Sequence, residues 1–252
     1  MRGSVFRRSR NSTGGAPVAL LPTTKRKVAV GLAGVCLSVT ALLGVWVTRQ
    51  TSLDWLDSAV DAKAGAALGG HPRLLDVLIS PGGPVAVAAM TTALALACAA
   101  RRRYREVALV AISVPAATMI TELVLKPIVG RTMWGTPSFP SGHSTGVFAL
   151  ATVVTVLLIA QPGVGIPRTL RLLLAVTAFL VAAVVAFALI ARSMHDFTDT
   201  VAGAATGIGT VLLTALALDL LVSATQRYLR RSRPTDLVPA HDTAPPGVPR
   251  RS

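Results

Sequence analysis

The chain has 252 residues, 52% of them hydrophobic and only 14% charged, with a mean hydropathy of +0.61. That composition excludes an ordinary soluble domain. The formal net charge of +14 would suit nucleic acid. The basic residues, however, bracket apolar runs and lack interleaved aromatics, so anionic headgroups are the expected partner and no nucleic acid is predicted.

Residues 1–27 are rich in Arg, Ser and Gly and are predicted to be a disordered cytoplasmic tail, uncleaved because no small-x-small site follows the first apolar run closely. Six nearly uncharged runs follow, at 28–47, 84–100, 107–125, 144–160, 172–191 and 200–222. Each is roughly 17–23 residues, the length a helix needs to cross about 30 Å of hydrocarbon. The expected fold is all-α, a polytopic membrane bundle of about six transmembrane helices forming one domain over 28–222. Residues 223–252, basic and Pro-rich, form a second cytoplasmic tail, and His241 within it has no predicted role. Cys36 and Cys98 fall inside spans and read as small apolar residues.

Between the first two spans, residues 51–83 behave differently. Leu53, Leu56, Val60, Ala64 and Ala67 recur at helical spacing, with Asp54, Asp57 and Asp61 on other faces. This predicts a short amphipathic helix on the outer leaflet, either a gate beside a lipid headgroup or a connector packed on the bundle. His71 precedes Pro72 in a turn and is assigned nothing. Asp219 is expected to reach the cytoplasmic interface from the end of the last span.

Charge orients the bundle. Nineteen of the 25 Lys and Arg lie in the tails and in the loops after the second and fourth spans. Arg49, Lys63, Arg73, Lys126, Arg131 and Arg192 lie on the other side. Positive residues stay inside, so both termini are predicted cytoplasmic and the loops around 130–142 and 192–198 extracytoplasmic, in a plasma membrane.

Those outer loops carry the chemistry. Lys126 ends the third span, Arg131 follows it, and Glu122 lies one turn earlier, where it can pair with Lys126. Taken alone, these cations would be helix-end anchors. Pro140-Ser141-Gly142-His143 opens the fourth span, so a helix N-terminus, a hydroxyl and an imidazole converge there, a ready anion site with a proton donor. In Arg192-Ser193-Met194-His195-Asp196-Phe197-Thr198-Asp199, His195 and Asp199 are four apart. On a helix, Asp199 would accept from one imidazole nitrogen and leave the other free to attack, with Asp196 the poorer partner. Arg192 adds a planar fork suited to phosphate. Two His and an Asp could also hold zinc. Lys126, Arg131 and Arg192 would crowd a cation, so an anion is expected, with no metal and no cofactor.

The order Lys…Arg, Pro-Ser-Gly-His, Arg…His-x-x-x-Asp over residues 50–222 resembles the type 2 phosphatidic acid phosphatase family, whose site is shared with vanadium haloperoxidases. The resemblance implies a metal-independent lipid phosphatase. His195 would be the nucleophile that forms a phosphohistidine, Asp199 its orienting carboxylate and His143 the general acid. Lys126, Arg131, Ser141, Gly142 and Arg192 would form the phosphate cradle. Two positions depart from the family pattern: Met133 and Leu189 stand where the family has arginines, and Arg131 and Arg192 lie closer to Lys126 and His195 than the family spacing. The predicted substrate is a lipid phosphate or pyrophosphate, such as an isoprenyl pyrophosphate, phosphatidate or phosphatidylglycerol phosphate. The alternative is a non-catalytic transporter or flippase that binds phospholipid headgroups, whose signature would be internal repeats and paired ionisable groups deep in the spans. A haloperoxidase is disfavoured by the hydrophobic spans.

Overall fold

A computed structural model describes residues 19–133, 135–159 and 165–231. The predicted tails, apart from 19–27 and 223–231, and the expected span end at Ala160 lie outside these residues. The chain forms helices α1 (Thr23–Trp46), α2 (Trp55–Leu68), α3 (Pro72–Ile79), α4 (Pro84–Ala100), α5 (Tyr104–Met119), α6 (Lys126–Val129), α7 (Gly142–Ile159), α8 (Arg168–Ala191) and α9 (Phe197–Arg231). A two-residue hairpin, β1 (Thr132–Met133) and β2 (Thr136–Pro137), pairs Thr132 with Pro137 and Met133 with Thr136. Six helical stretches are long and apolar enough to cross a membrane: Thr23–Trp46, Pro72–Ala100, Tyr104–Val129, Gly142–Ile159, Arg168–Ala191 and Phe197–Leu229. The all-α membrane bundle is therefore the fold, with α1 beginning before residue 28 and α9 continuing past residue 222.

Local chemistry sets the helix boundaries. Asp54 caps α2 by accepting from the N–H groups of Leu56 and Asp57. Pro72 and Pro84 stand in the first turns of α3 and α4, where a missing N–H costs nothing. Gly130, at φ +64°, ends α6 in the left-handed region that a side chain resists. Between α5 and α6, Ile120–Leu125 widens into a π-helical turn. Pro127 follows at once and cannot donate to the carbonyl of Leu123, so a wider turn relieves the conflict between its ring and that carbonyl.

Small residues let the helices approach closely. A Cβ at Gly203 would stand 2.5 Å from the Ser141 carbonyl, and one at Gly207 2.5 Å from the Thr145 carbonyl. The α9 backbone thus lies directly on α7, one turn after another, as small-residue spacing allows in lipid. Thr40 of α1 and Thr206 of α9 share a hydrogen bond at 3.3 Å. Towards the end of the sixth span, Asp219 is 2% exposed. Its carboxylate accepts from the N–H groups of Leu20 and Leu21 and from Arg26 and Arg105. Partners from α1, the segment before it and α5 satisfy this buried carboxylate internally. The segment after Asp219, beginning at Leu220, is a separate compact unit that continues helically to Arg231.

Helices α2 and α3 both pack on α8, so residues 51–83 are a connector docked on the bundle. The buried residues of α2 are Ala64 and Asp57, while Leu53 is 43% exposed. A carboxylate, and not only the apolar stripe, faces inward. The reason lies in the site.

Candidate active site

A cavity of about 660 Å³ enters the bundle between α4, α5 and α7 beneath the β1–β2 hairpin. Val114, Thr118, Glu122 and Lys126 line it at four-residue steps down one helical face, opposite Val87, Ala88, Thr91 and Thr92 of α4. Its outer end holds Lys126, Glu122, Gly142, His143 and His195. The rest of the wall is mostly apolar, so the space is amphiphilic along its length.

The sequence brings His143 and His195 here from the starts of two different helices. His143 sits in the first turn of α7, and His195 lies just before α9. Their rings are 6.1 Å apart, tilted by 58°. The two segments are tied by the Ser141 N–H donating to the Asp199 carbonyl at 3.0 Å. Lys126 donates to the Glu122 carboxylate at 2.8 Å, the pair its spacing predicts. Nδ1 of His195 and Oδ2 of Asp199 are 3.6 Å apart. That is too long for a hydrogen bond, and neither atom has another partner. The two face each other ready to close.

Three expected cradle residues lie elsewhere. The Ser141 hydroxyl is buried and accepts from the Ser144 N–H at 3.3 Å, capping α7 instead of facing the cavity. Arg192 is on the surface, paired with Asp76 at 3.1 Å. Arg131 differs most from the expectation. Its side chain is fully buried and surrounded by carboxylates: Asp57 at 2.6 Å, Asp199 at 2.7 Å and Asp196 at 3.1 Å, with the Thr198 hydroxyl at 2.8 Å. Burial opposes its charge, but Asp199, Asp57 and Asp196 more than offset this and hold the guanidinium protonated. An isolated buried cation would be prohibitive, so Arg131 lies where the counter-charges are.

The same cluster explains α2. Asp57 accepts from both the N–H and the hydroxyl of Thr198. Asp61, one turn on, accepts from the Phe197 N–H at 3.2 Å. Two carboxylates of α2 therefore serve the free N–H groups at the start of α9, beside His195. Burial, then Asp196 and Asp57, push the Asp61 carboxyl up to about 7. Asp196 is pushed up to about 6 by burial and by Asp199 and Asp57, against the pull of Arg131. Asp196 is the poorer partner for His195 by sequence. It does not serve His195, but it does join the cluster behind it. Asp57, Asp61 and Thr198 were not anticipated. Their only signal was three aspartates on a helix beside lipid, a costly composition unless partners await. Among the described residues no three His, Cys, Asp or Glu converge so as to hold a metal ion.

The sequence profile of the PAP2 superfamily matches residues 124–223, a stretch that takes in Lys126, both histidines and Asp199. Over that stretch the chain is similar to the type 2 phosphatidic acid phosphatase (PAP2) superfamily. The fold agrees. A crystal structure of a transmembrane PAP2 type phosphatidylglycerolphosphate phosphatase from Bacillus subtilis superposes with a TM-score of 0.56 at 17% identity, over 81% of this chain and 98% of that one. No curated protein sequence matches. With its six apolar spans and this fold, the chain is a multi-pass membrane protein.

Proposed function

We propose that this protein hydrolyses a lipid phosphate on the extracytoplasmic face of the membrane, through a phosphohistidine on His195 and without a metal. The observation that carries the reading is the cavity itself. Two histidines and a lysine stand at its polar head, and its apolar walls run down between α4 and α5. A lipid can keep its tail among Val87, Thr91, Val114 and Thr118 while its phosphate meets Lys126 and the start of α7. Small-molecule sites are commonly concave, mostly apolar and furnished with a few convergent polar groups.

The steps follow from the geometry. Nδ1 of His195 faces Asp199, which leaves Nε2 for attack on phosphorus. The new N–P bond forms as the ester P–O bond breaks, and His143 gives its proton to the leaving alcohol oxygen. Asp199, held by Arg131, stabilises the positive charge that gathers on His195. Water then attacks phosphorus, the N–P bond breaks, His143 takes the water's proton, and inorganic phosphate leaves. Lys126 and the N–H groups of α7 at Gly142 balance charge on the equatorial oxygens.

The test is phosphate release from a panel of lipid phosphates by the purified protein in detergent, combined with rapid quenching in alkali. Wild type should yield an acid-labile phosphoenzyme and His195→Ala none. Turnover undiminished in His195→Ala would end this reading.

A further inference from the structure

The cavity is poor in positive charge. Among the described residues its ionisable lining groups are Lys126, Glu122, His143 and His195. Arg131 is engaged by Asp57 and Asp199, and Arg192 by Asp76, so neither arginine supplies charge there. Met133, an apolar side chain, lines the wall instead. The single permanent cation, Lys126, is matched by a carboxylate at 2.8 Å.

Glu122 stands at a particular place. Its Oε1 lies 2.4 Å from where a Cβ on Gly142 would be. The carboxylate thus rests against the first turn of α7, the anion-binding end of that helix. Down the same helical face come Thr118 and then Val114, the start of the apolar arm. Glu122 therefore marks the junction between phosphate and tail, where the group leaving with the lipid must pass. The π-helical turn Ile120–Leu125 carries Glu122, and such turns are frequent at functional sites.

Resting on the hydrolytic reading of this site, we propose that Glu122 selects substrates by charge: a single phosphoryl ester of an uncharged lipid alcohol is accepted and a lipid pyrophosphate is disfavoured. A pyrophosphate places a second charged phosphate at the junction, against a carboxylate and with no spare cation. A monoester places only an uncharged ester carbon there. Its phosphate needs only to draw Lys126 from Glu122. One added charge–charge contact at a few ångströms in a half-exposed cavity is worth about tenfold in affinity.

Binding and turnover separate the two ideas. In the full chain carrying His195→Ala, which cannot turn over, calorimetric titration should show inorganic phosphate binding tighter than inorganic pyrophosphate. Adding Glu122→Gln should tighten both, and pyrophosphate about tenfold more. The Glu122 side chain is 47% exposed, so the exchange leaves the core intact. With His195 present, phosphate release should favour phosphatidate over farnesyl pyrophosphate, and Glu122→Gln should narrow that ratio by a similar factor. Pyrophosphate binding as tight as phosphate, or a ratio unmoved by Glu122→Gln, would overturn the proposal. If neither lipid is hydrolysed while the binding preference and its dependence on Glu122 hold, the hydrolytic reading fails and charge selection stands.

Discussion

Arg131→Gln is the most informative single change in this protein. The guanidinium has no exposed surface and contacts two carboxylates that are themselves fully buried, Asp57 and Asp199. Glutamine keeps some hydrogen bonding but leaves those two charges facing each other without a cation. Breaking a buried ion pair by removing one partner costs about 3–5 kcal/mol. That is roughly two to four decades in the folding equilibrium. Asp57→Asn should cost less, about 1.5–3 kcal/mol, the range for a hydrogen bond to a charged group, because the amide oxygen can still accept from Thr198. The double variant should be less damaged than the sum, by about 0.5–3 kcal/mol, since each single change strands the other's partner. Thermal unfolding in detergent, followed by tryptophan fluorescence, measures all three. Kinetics give the second readout. Arg131 holds Asp199 but does not line the cavity, so kcat should fall while KM stays near wild type, and vanadate inhibition should weaken only in step with kcat. A stable Arg131→Gln protein with an unchanged kcat and a KM or vanadate constant raised tenfold would mean that the guanidinium binds phosphate, and the positioning argument would be lost.

Other outcomes follow from the same geometry. Cysteines at Thr136 and Ser193 should react with an impermeant thiol reagent in intact cells, and one at Thr235 should not; labelling of Thr136 only after lysis would invert the topology. Activity should survive EDTA and be blocked by vanadate, whose five-coordinate form mimics the transition state; loss on chelation and recovery with zinc would favour a metal site. His143→Ala should cripple turnover of an alkyl lipid phosphate, by about 10²–10⁴-fold, but affect p-nitrophenyl phosphate less, because that leaving group scarcely needs a proton; equal losses on both would remove its role as acid. Asp61 binds its proton more tightly folded than unfolded, its carboxyl lying near 7 against about 3.9 in a free chain. Its contribution to stability is therefore full below about pH 4 and lost as pH rises towards 7. Asp61→Asn should flatten the pH dependence of thermal stability over that window, and an unchanged slope would contradict it.

Much of this molecule was legible before folding. Apolar run length and the bias of Lys and Arg are one-dimensional quantities, and lipid permits few backbone solutions to a 20-residue apolar run. The six spans followed from them. The pairing of Lys126 with Glu122 was also legible, since residues four apart share a helical face whatever surrounds them. Pro-Ser-Gly-His and His-x-x-x-Asp pointed to the same end of the bundle because both open a span on the same side.

What the sequence could not state was which basic residues face the ligand. Arg131 and Lys126 are five residues apart, and both suit phosphate by chemistry. Only the tertiary structure shows that the chain turns at Gly130 and sends Arg131 behind the site, into carboxylates 74 and 68 positions away in sequence. Asp57 looked like a polar residue on a surface helix until α9 supplied its N–H groups. The physical reason is the same in both cases. A span is specified by local hydrophobicity, whereas the place of a buried charge is specified by its counter-charge, and that counter-charge comes from another part of the chain.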